Sequence, residues 1–338
     1  IISLTTFVFD MFITSKPTHN TIKHFSKQTS NAIIKSMKYK VTKVKPQGYC
    51  GGVLKAIQTA KECRKQNPDM PITILGNLVH NSYVKKALQL YDLKTIEDPS
   101  KTRWELLDQI SEGIVIFTAH GVSSKVVQKA KEKGLQIIDA SCPFVLQTQS
   151  IVKDKLEQGY TVFYIGKKGH PEAEAIYSTS DKVILIETET DIPINIQTPI
   201  FVTNQTTMSV LEINTLFQAI RKVYPNAQIH DEICNATRVR QQAILDLKDS
   251  DVDTLIVVGD PTSNNTQKLA AIGKTAGIQT VLQVQDLQQL DTTSIQESKH
   301  IAITSGASTP TYLMEQIYSY LCQYPCQKDD IDLHKILD

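Results

Sequence analysis

The chain lacks any apolar run approaching the roughly 20 residues needed to cross a bilayer as a helix, and no secretory signal is visible in it. Charge of neither sign is in excess. Lys and Arg number 36 against 35 Asp and Glu, a formal net charge of +1 at pH 7. No basic field therefore argues for nucleic acid or an anionic membrane, and an anionic ligand must be held by a local site. No glycine-rich dinucleotide fingerprint is present. Six cysteines in 338 residues are too few for a dense disulfide framework, and none stands in the C-x-x-C pair common in zinc sites. A reducing cytoplasm fits this pattern. There, widely spaced cysteines serve as core residues, metal ligands or catalytic groups.

The first 36 residues differ from the rest. "IISLTTFVFDMF" is apolar but short and interrupted by Asp10, and no acid follows Asp10 before Met37. Segments 1–36 are read as extraneous or disordered, with the native protein starting at Met37. A basic, acid-poor plastid transit peptide is the alternative.

From Met37 onward, short β-branched runs alternate with longer helical stretches, the mark of a parallel-sheet α/β protein. The alternation repeats. Cys142 lies 92 residues after Cys50, and Cys234 lies 92 after Cys142. Each follows a strand-like run ("YKVTKV", "LQIIDAS", "AQIHDEI") and precedes a helical pattern. A second strand then ends in glycine ("PITILG", "TVFYIG", "TLIVVG"), and a third ends in small polar residues ("IVIFTAHGVS", "PIFVTNQTTMS", "HIAITSGASTP"). The expected fold is α/β, with three similar modules of mostly parallel sheet in pseudo-three-fold arrangement. The expected divisions are 37–140, 141–232 and 233–322, followed by a tail over 323–338. Ligands bind at strand C-termini in such sheets, so Cys50, Cys142 and Cys234 are expected to converge on one centre. Cys63, on an amphipathic helix, and Cys322 and Cys326, near the end, are read as structural.

Three thiolates suit zinc or an iron–sulfur cluster. Residue types alone do not choose between them. The order and spacing of "PQGYCGGVLKAI", "GNLVHNSYV", "FTAHGVS", "DASCPFV", "GKKGHPEAEA", "TNQTTMS", "EICNATRVRQ", "GDPTSNNTQKLA" and "TSGASTP" do more. Together these motifs resemble the IspH/LytB family of 4-hydroxy-3-methylbut-2-enyl diphosphate reductases, across nearly all the chain after Met37.

The resemblance implies one 4Fe–4S cluster at the centre of the three modules, held by Cys50, Cys142 and Cys234, with one iron open to the substrate hydroxyl. It implies diphosphate and hydroxyl contacts from His80, His120, His170, Thr206, Ser263, Asn264, Asn265 and Ser308, and a proton source at Glu172. The implied reaction is reductive dehydroxylation of the allylic diphosphate to isopentenyl and dimethylallyl diphosphates, the last step of the non-mevalonate route. An external low-potential carrier such as ferredoxin or flavodoxin is implied as electron donor. Neutral donors at strand ends and helix N-termini suit a diphosphate on a nearly neutral protein.

Each position also has a plain reading. His80 before Asn81 can cap a helix, "TAHG" can be an ordinary turn, and Ser308 before Thr309 and Pro310 is a common helix start. "HPE" at His170 to Glu172 reads equally as a helix N-terminus. Two departures stand out. The family commonly has Arg where Gln47 stands, and Ser where Asn264 stands. Rival readings are a lyase resembling quinolinate synthase, also three-module with an open-iron cluster, and a non-catalytic iron–sulfur sensor. The sensor would need a basic appendage that the chain does not offer.

Overall fold

Twelve strands form among the described residues, 39–324 and 326–338 of a computed structural model. The segment 1–36 lies outside them. The strands are β1 (Lys40–Lys43), β2 (Ile72–Leu75), β3 (Lys94–Ile96), β4 (Ile114–Phe117), β5 (Gln136–Asp139), β6 (Thr161–Ile165), β7 (Val183–Ile186), β8 (Ile200–Asn204), β9 (Gln228–Ile229), β10 (Thr254–Val258), β11 (Thr280–Val284) and β12 (His300–Ser305). They build three four-stranded sheets, ordered β3-β2-β4-β5, β7-β6-β8-β9 and β1-β12-β10-β11, with every pairing parallel. The inner strands "ITIL", "IVIF", "TVFYI" and "TLIVV" are buried at every residue. That is the consequence of helices covering both faces of a parallel sheet. Edge strands β1 and β5 alternate or mix exposed and half-buried residues.

One expected division is corrected. The span 37–140 counted β1 with the first module, but β1 pairs with β12 of the third sheet, Val41 opposite Ile301 and Lys43 opposite Ile303. In each sheet the outer strand beside the third-entering one leads straight into a cysteine: β5 to Cys142, β9 to Cys234, β1 to Cys50. Among the described residues no strand follows β12, and β1 fills that place in the last sheet. Strand periodicity is the same whichever open edge a strand joins, so the sequence could not show this.

The largest core joins the first and third sheets. It includes Ile74, Ile116, Ile256, Ile303 and the inward face of the Gly51–Gln66 helix, with Val53, Ala56, Ile57, Ala60 and Cys63. Ile336 and Leu337, in the span set apart as a tail, are buried in this same core. Cys63 is a core residue, and Cys326 is exposed with its Sγ directed at the Tyr320 carbonyl. No helix among the described residues is long and apolar enough to cross a membrane.

Candidate active site

Each of the three repeat cysteines is the N-cap of a helix, in extended backbone conformation: Cys50 before Gly51–Gln66, Cys142 before Pro143–Glu157 and Cys234 before Asn235–Leu245. The placement is repeated down to single hydrogen bonds. The Cys142 N–H donates to the carbonyl of Ala119 just past β4 (3.0 Å). The Cys234 N–H donates to Thr206 past β8 (3.1 Å), and the Cys50 N–H to Ala307 past β12 (3.0 Å). Thus the edge strand delivers each cysteine, and the loop after the neighbouring strand fixes it. All three thiols are free and partly exposed, and they line one cavity.

Gly52 gives the closeness of the thiols a physical cause. A Cβ there would lie 2.5 Å from Cys142 Sγ and 3.9 Å from Cys50 Sγ, so any larger residue would fill the space between two modules. Burial pushes the Cys142 and Cys234 thiols up, with Cys50 acting on both in the same sense. Three mutually repelling, all-sulfur donors in a desolvated pocket are poorly accommodated as free thiolates. They suit a soft, positively charged metal group that takes up their charge. Thr237 adds a hydrogen bond at 3.2 Å between its Oγ1 and Cys234 Sγ.

Glu172 also lines the cavity and is only 2% exposed. Its Oε1 accepts from the Thr206 N–H (2.7 Å) and its Oε2 from the Thr206 hydroxyl (3.0 Å). Burial wins over these bonds and pushes its carboxyl up to about 7. A group with that value can hold or release a proton at neutral pH. The Tyr164 hydroxyl on β6 faces the same carboxyl.

The other wall of the cavity holds three imidazoles. Ring centroids lie 4.2 Å apart for His80 and His120, 4.9 Å for His80 and His170, and 5.5 Å for His120 and His170. His170 caps the Pro171–Tyr177 helix, its Nδ1 accepting from the Glu172 N–H at 3.2 Å. The neutral ring therefore carries its proton on Nε2, which faces His80 Nε2 at 3.2 Å. Burial pushes His80 down to about 4, reinforced by Arg103 and only partly offset by Asp260. It holds His120 and His170 well below the usual histidine range as well. All three are therefore neutral at pH 7.

Beside them stand Ser263, Asn264, Asn265 and Ser308. Ser263 caps the Asn264–Thr275 helix, whose first N–H groups have no intrahelical acceptor. The Ser308 hydroxyl donates to the His80 carbonyl (3.0 Å) and lies 3.5 Å from Ser263 Oγ. Asn265 bridges the Ala307 N–H and Thr237. The Asn264 amide donates to the Thr207 carbonyl at 2.9 Å, leaving Oδ1 buried and unpaired, so its side chain is less available as a donor than a serine would be. Three imidazole nitrogens this close could also hold a divalent ion. However, His80 and His170 bond each other, and the surrounding serines and helix N–H groups are donors, which suits an anion.

Every residue expected at the site lines this one cavity. Sequence reasoning missed Tyr164, Thr237 and the buried Arg103 and Arg240. Tyr164 looked like strand core, and only the "NATRVR" run directly after Cys234 carried a signal for Thr237 and Arg240.

Fold and site together define a class: a three-module α/β protein that gathers one cysteine per module, a buried acid and a wall of histidines, serines and asparagines around a single cavity. The chain belongs to the LytB protein family, which matches residues 41–322. A protein of an Exiguobacterium species is 44% identical over 302 residues, 87% of this chain and 93% of its own length. One from Listeria monocytogenes is 44% identical over 288 residues, 84% of this chain and 86% of its own. Both are named 4-hydroxy-3-methylbut-2-enyl diphosphate reductase. Among solved structures, the E-1-hydroxy-2-methyl-but-2-enyl-4-diphosphate reductase of Plasmodium falciparum is similar with a TM-score of 0.79 at 29% identity, covering 85% of this chain and 89% of that one. An (E)-4-hydroxy-3-methyl-but-2-enyl diphosphate reductase, described as the terminal enzyme of the non-mevalonate pathway, is similar with a TM-score of 0.58 at 26% identity, covering 83% and 98%.

Proposed function

We infer that this protein is a 4-hydroxy-3-methylbut-2-enyl diphosphate reductase. It removes the allylic hydroxyl to give isopentenyl and dimethylallyl diphosphates. The observation that carries the reading is the single cavity lined by Cys50, Cys142, Cys234, Glu172 and the histidine–serine–asparagine wall.

Cys50, Cys142 and Cys234 would hold an iron–sulfur cluster, a 4Fe–4S cube with one iron not bound by protein. When bound, such a cluster would supply electrons one at a time and Lewis-acidic iron. The chain's own residues do the rest. Ser263, Asn265, Ser308 and the helix N–H groups receive the diphosphate. His80, His120 and His170 take up protons as its negative charge raises their pKa. Anchoring the remote diphosphate fixes the reacting carbon at the other end of the cavity. The reaction consumes two electrons and two protons; a C–O bond breaks, a C–H bond forms and the oxygen leaves as water. Glu172, held by both Thr206 bonds, is the group placed to deliver a proton there. The electrons come from a low-potential one-electron carrier such as ferredoxin or flavodoxin, and the setting is the reducing cytoplasm.

The test is anaerobic: reduced viologen, protein and 4-hydroxy-3-methylbut-2-enyl diphosphate. Substrate-dependent viologen oxidation with five-carbon diphosphate products is expected. No oxidation from protein that holds iron and sulfide at cluster stoichiometry would overturn the reductase and favour a lyase or sensor.

A further inference from the structure

Arg240 sits on the helix that Cys234 caps, and it is 4% exposed. Its Nη1 donates to the Ala236 carbonyl at 2.9 Å and its Nη2 to the Gly48 carbonyl at 2.8 Å, while Nε is buried with no acceptor. Ala236 lies two residues after Cys234, and Gly48 lies two before Cys50. The guanidinium therefore bridges the loops that carry two of the three thiols, from different modules. No carboxylate among the described residues pairs with it. The acidic groups whose charge bears on it are the thiols of Cys50 and Cys234. Gln47, three residues before Cys50, is neutral and donates to the Ile303 carbonyl at 2.9 Å.

A guanidinium withdrawn from water without an anion is strongly unfavourable. Arg stays charged under almost any protein conditions, so it cannot escape that cost by losing its proton. The arrangement makes sense when the anion is the thiolate-ligated group itself.

We propose that Arg240 is the built-in counter-charge of the three-thiol centre, tying the Cys50 and Cys234 loops together and raising the reduction potential of the group they hold. The inference rests on the cluster reading above. A fixed positive charge favours the more negative, reduced state of a cluster, since net charge and hydrogen bonding set such potentials. Arg240 touches neither substrate nor reacting atoms; it is a positioning residue.

The experiment compares reconstituted wild type, Arg240→Gln and Arg240→Lys, each titrated anaerobically without substrate and followed by EPR and visible absorbance, with iron and sulfide assayed. The expected result is a more negative midpoint potential in Arg240→Gln and recovery of most of the wild-type value in Arg240→Lys. An unchanged potential in Arg240→Gln at full iron content overturns the proposal while leaving the cluster reading intact. Wild type that takes up no iron or sulfide overturns the cluster reading and the proposal with it. If Arg240→Gln cannot hold iron, Arg240→Lys decides. Iron content and potential near wild type support the counter-charge, and an equally empty or equally shifted Lys variant overturns it.

Discussion

Glu172 shows how one buried residue couples stability to chemistry. Burial holds its carboxyl at about 7 against an ordinary 4.5. A raised carboxyl favours folding fully below about 4.5, and that contribution is lost as pH rises through about 7. The loss amounts to roughly 3 kcal/mol. Cluster-free Glu172→Gln should therefore match wild type in stability near pH 4 and exceed it at pH 8; parallel stability curves from urea unfolding would contradict the burial argument. If Glu172 delivers the proton, wild-type kcat should fall as pH rises through about 7. Glu172→Gln should lose on the order of 10²–10⁴ in kcat with KM little changed, a typical share for a positioned acid. Full turnover in that variant would remove Glu172 from the proton role.

At the scale of the element, the strand–cysteine–helix unit is the repeating piece. Each cysteine owes its place to an edge strand, a helix start and one N–H bond to the neighbouring loop. Gly52, in the first turn of the Gly51–Gln66 helix, separates local from tertiary demands. Alanine is the better helix former there by up to about 1 kcal/mol, yet its Cβ would strike Cys142 Sγ. Gly52→Ala should therefore lose about 1–3 kcal/mol in urea unfolding despite the gain in helix propensity, while bound iron drops severalfold. Full iron content would show that the two modules can separate enough to admit a methyl group.

Across the whole molecule, β1 and the residues around Ile336 tie the third sheet to the rest. β1 completes the sheet begun by β10, and Ile336 and Leu337 fill the core shared by the first and third sheets. The Tyr49 hydroxyl, next to Cys50, donates to the Ile336 carbonyl at 2.6 Å. Ile336→Ala, two residues from the C-terminus, should therefore cost about 2–5 kcal/mol, as a fully buried isoleucine does. Equilibrium unfolding in urea measures it; a change below about 0.5 kcal/mol would mean the C-terminal turn is not part of this core.

Much of this was legible from residues in order. The equal spacing of Cys50, Cys142 and Cys234 selected the thiol set, because a repeated supersecondary unit carries its chemistry at a repeated position. The alternation of short β-branched runs with longer helical stretches announced parallel sheets, since parallel strands need helical crossovers between them. What only tertiary structure decided depends on which distant surfaces meet. β1 joined the last sheet because strand pattern does not specify its edge. Tyr164 read as an ordinary strand residue, and nothing in the run after Cys234 showed that Arg240 would reach the Cys50 loop until folding put them together. The perturbed acidity of Glu172, His80, His120 and His170 comes from desolvation, a property of the closed cavity that no single stretch of chain contains.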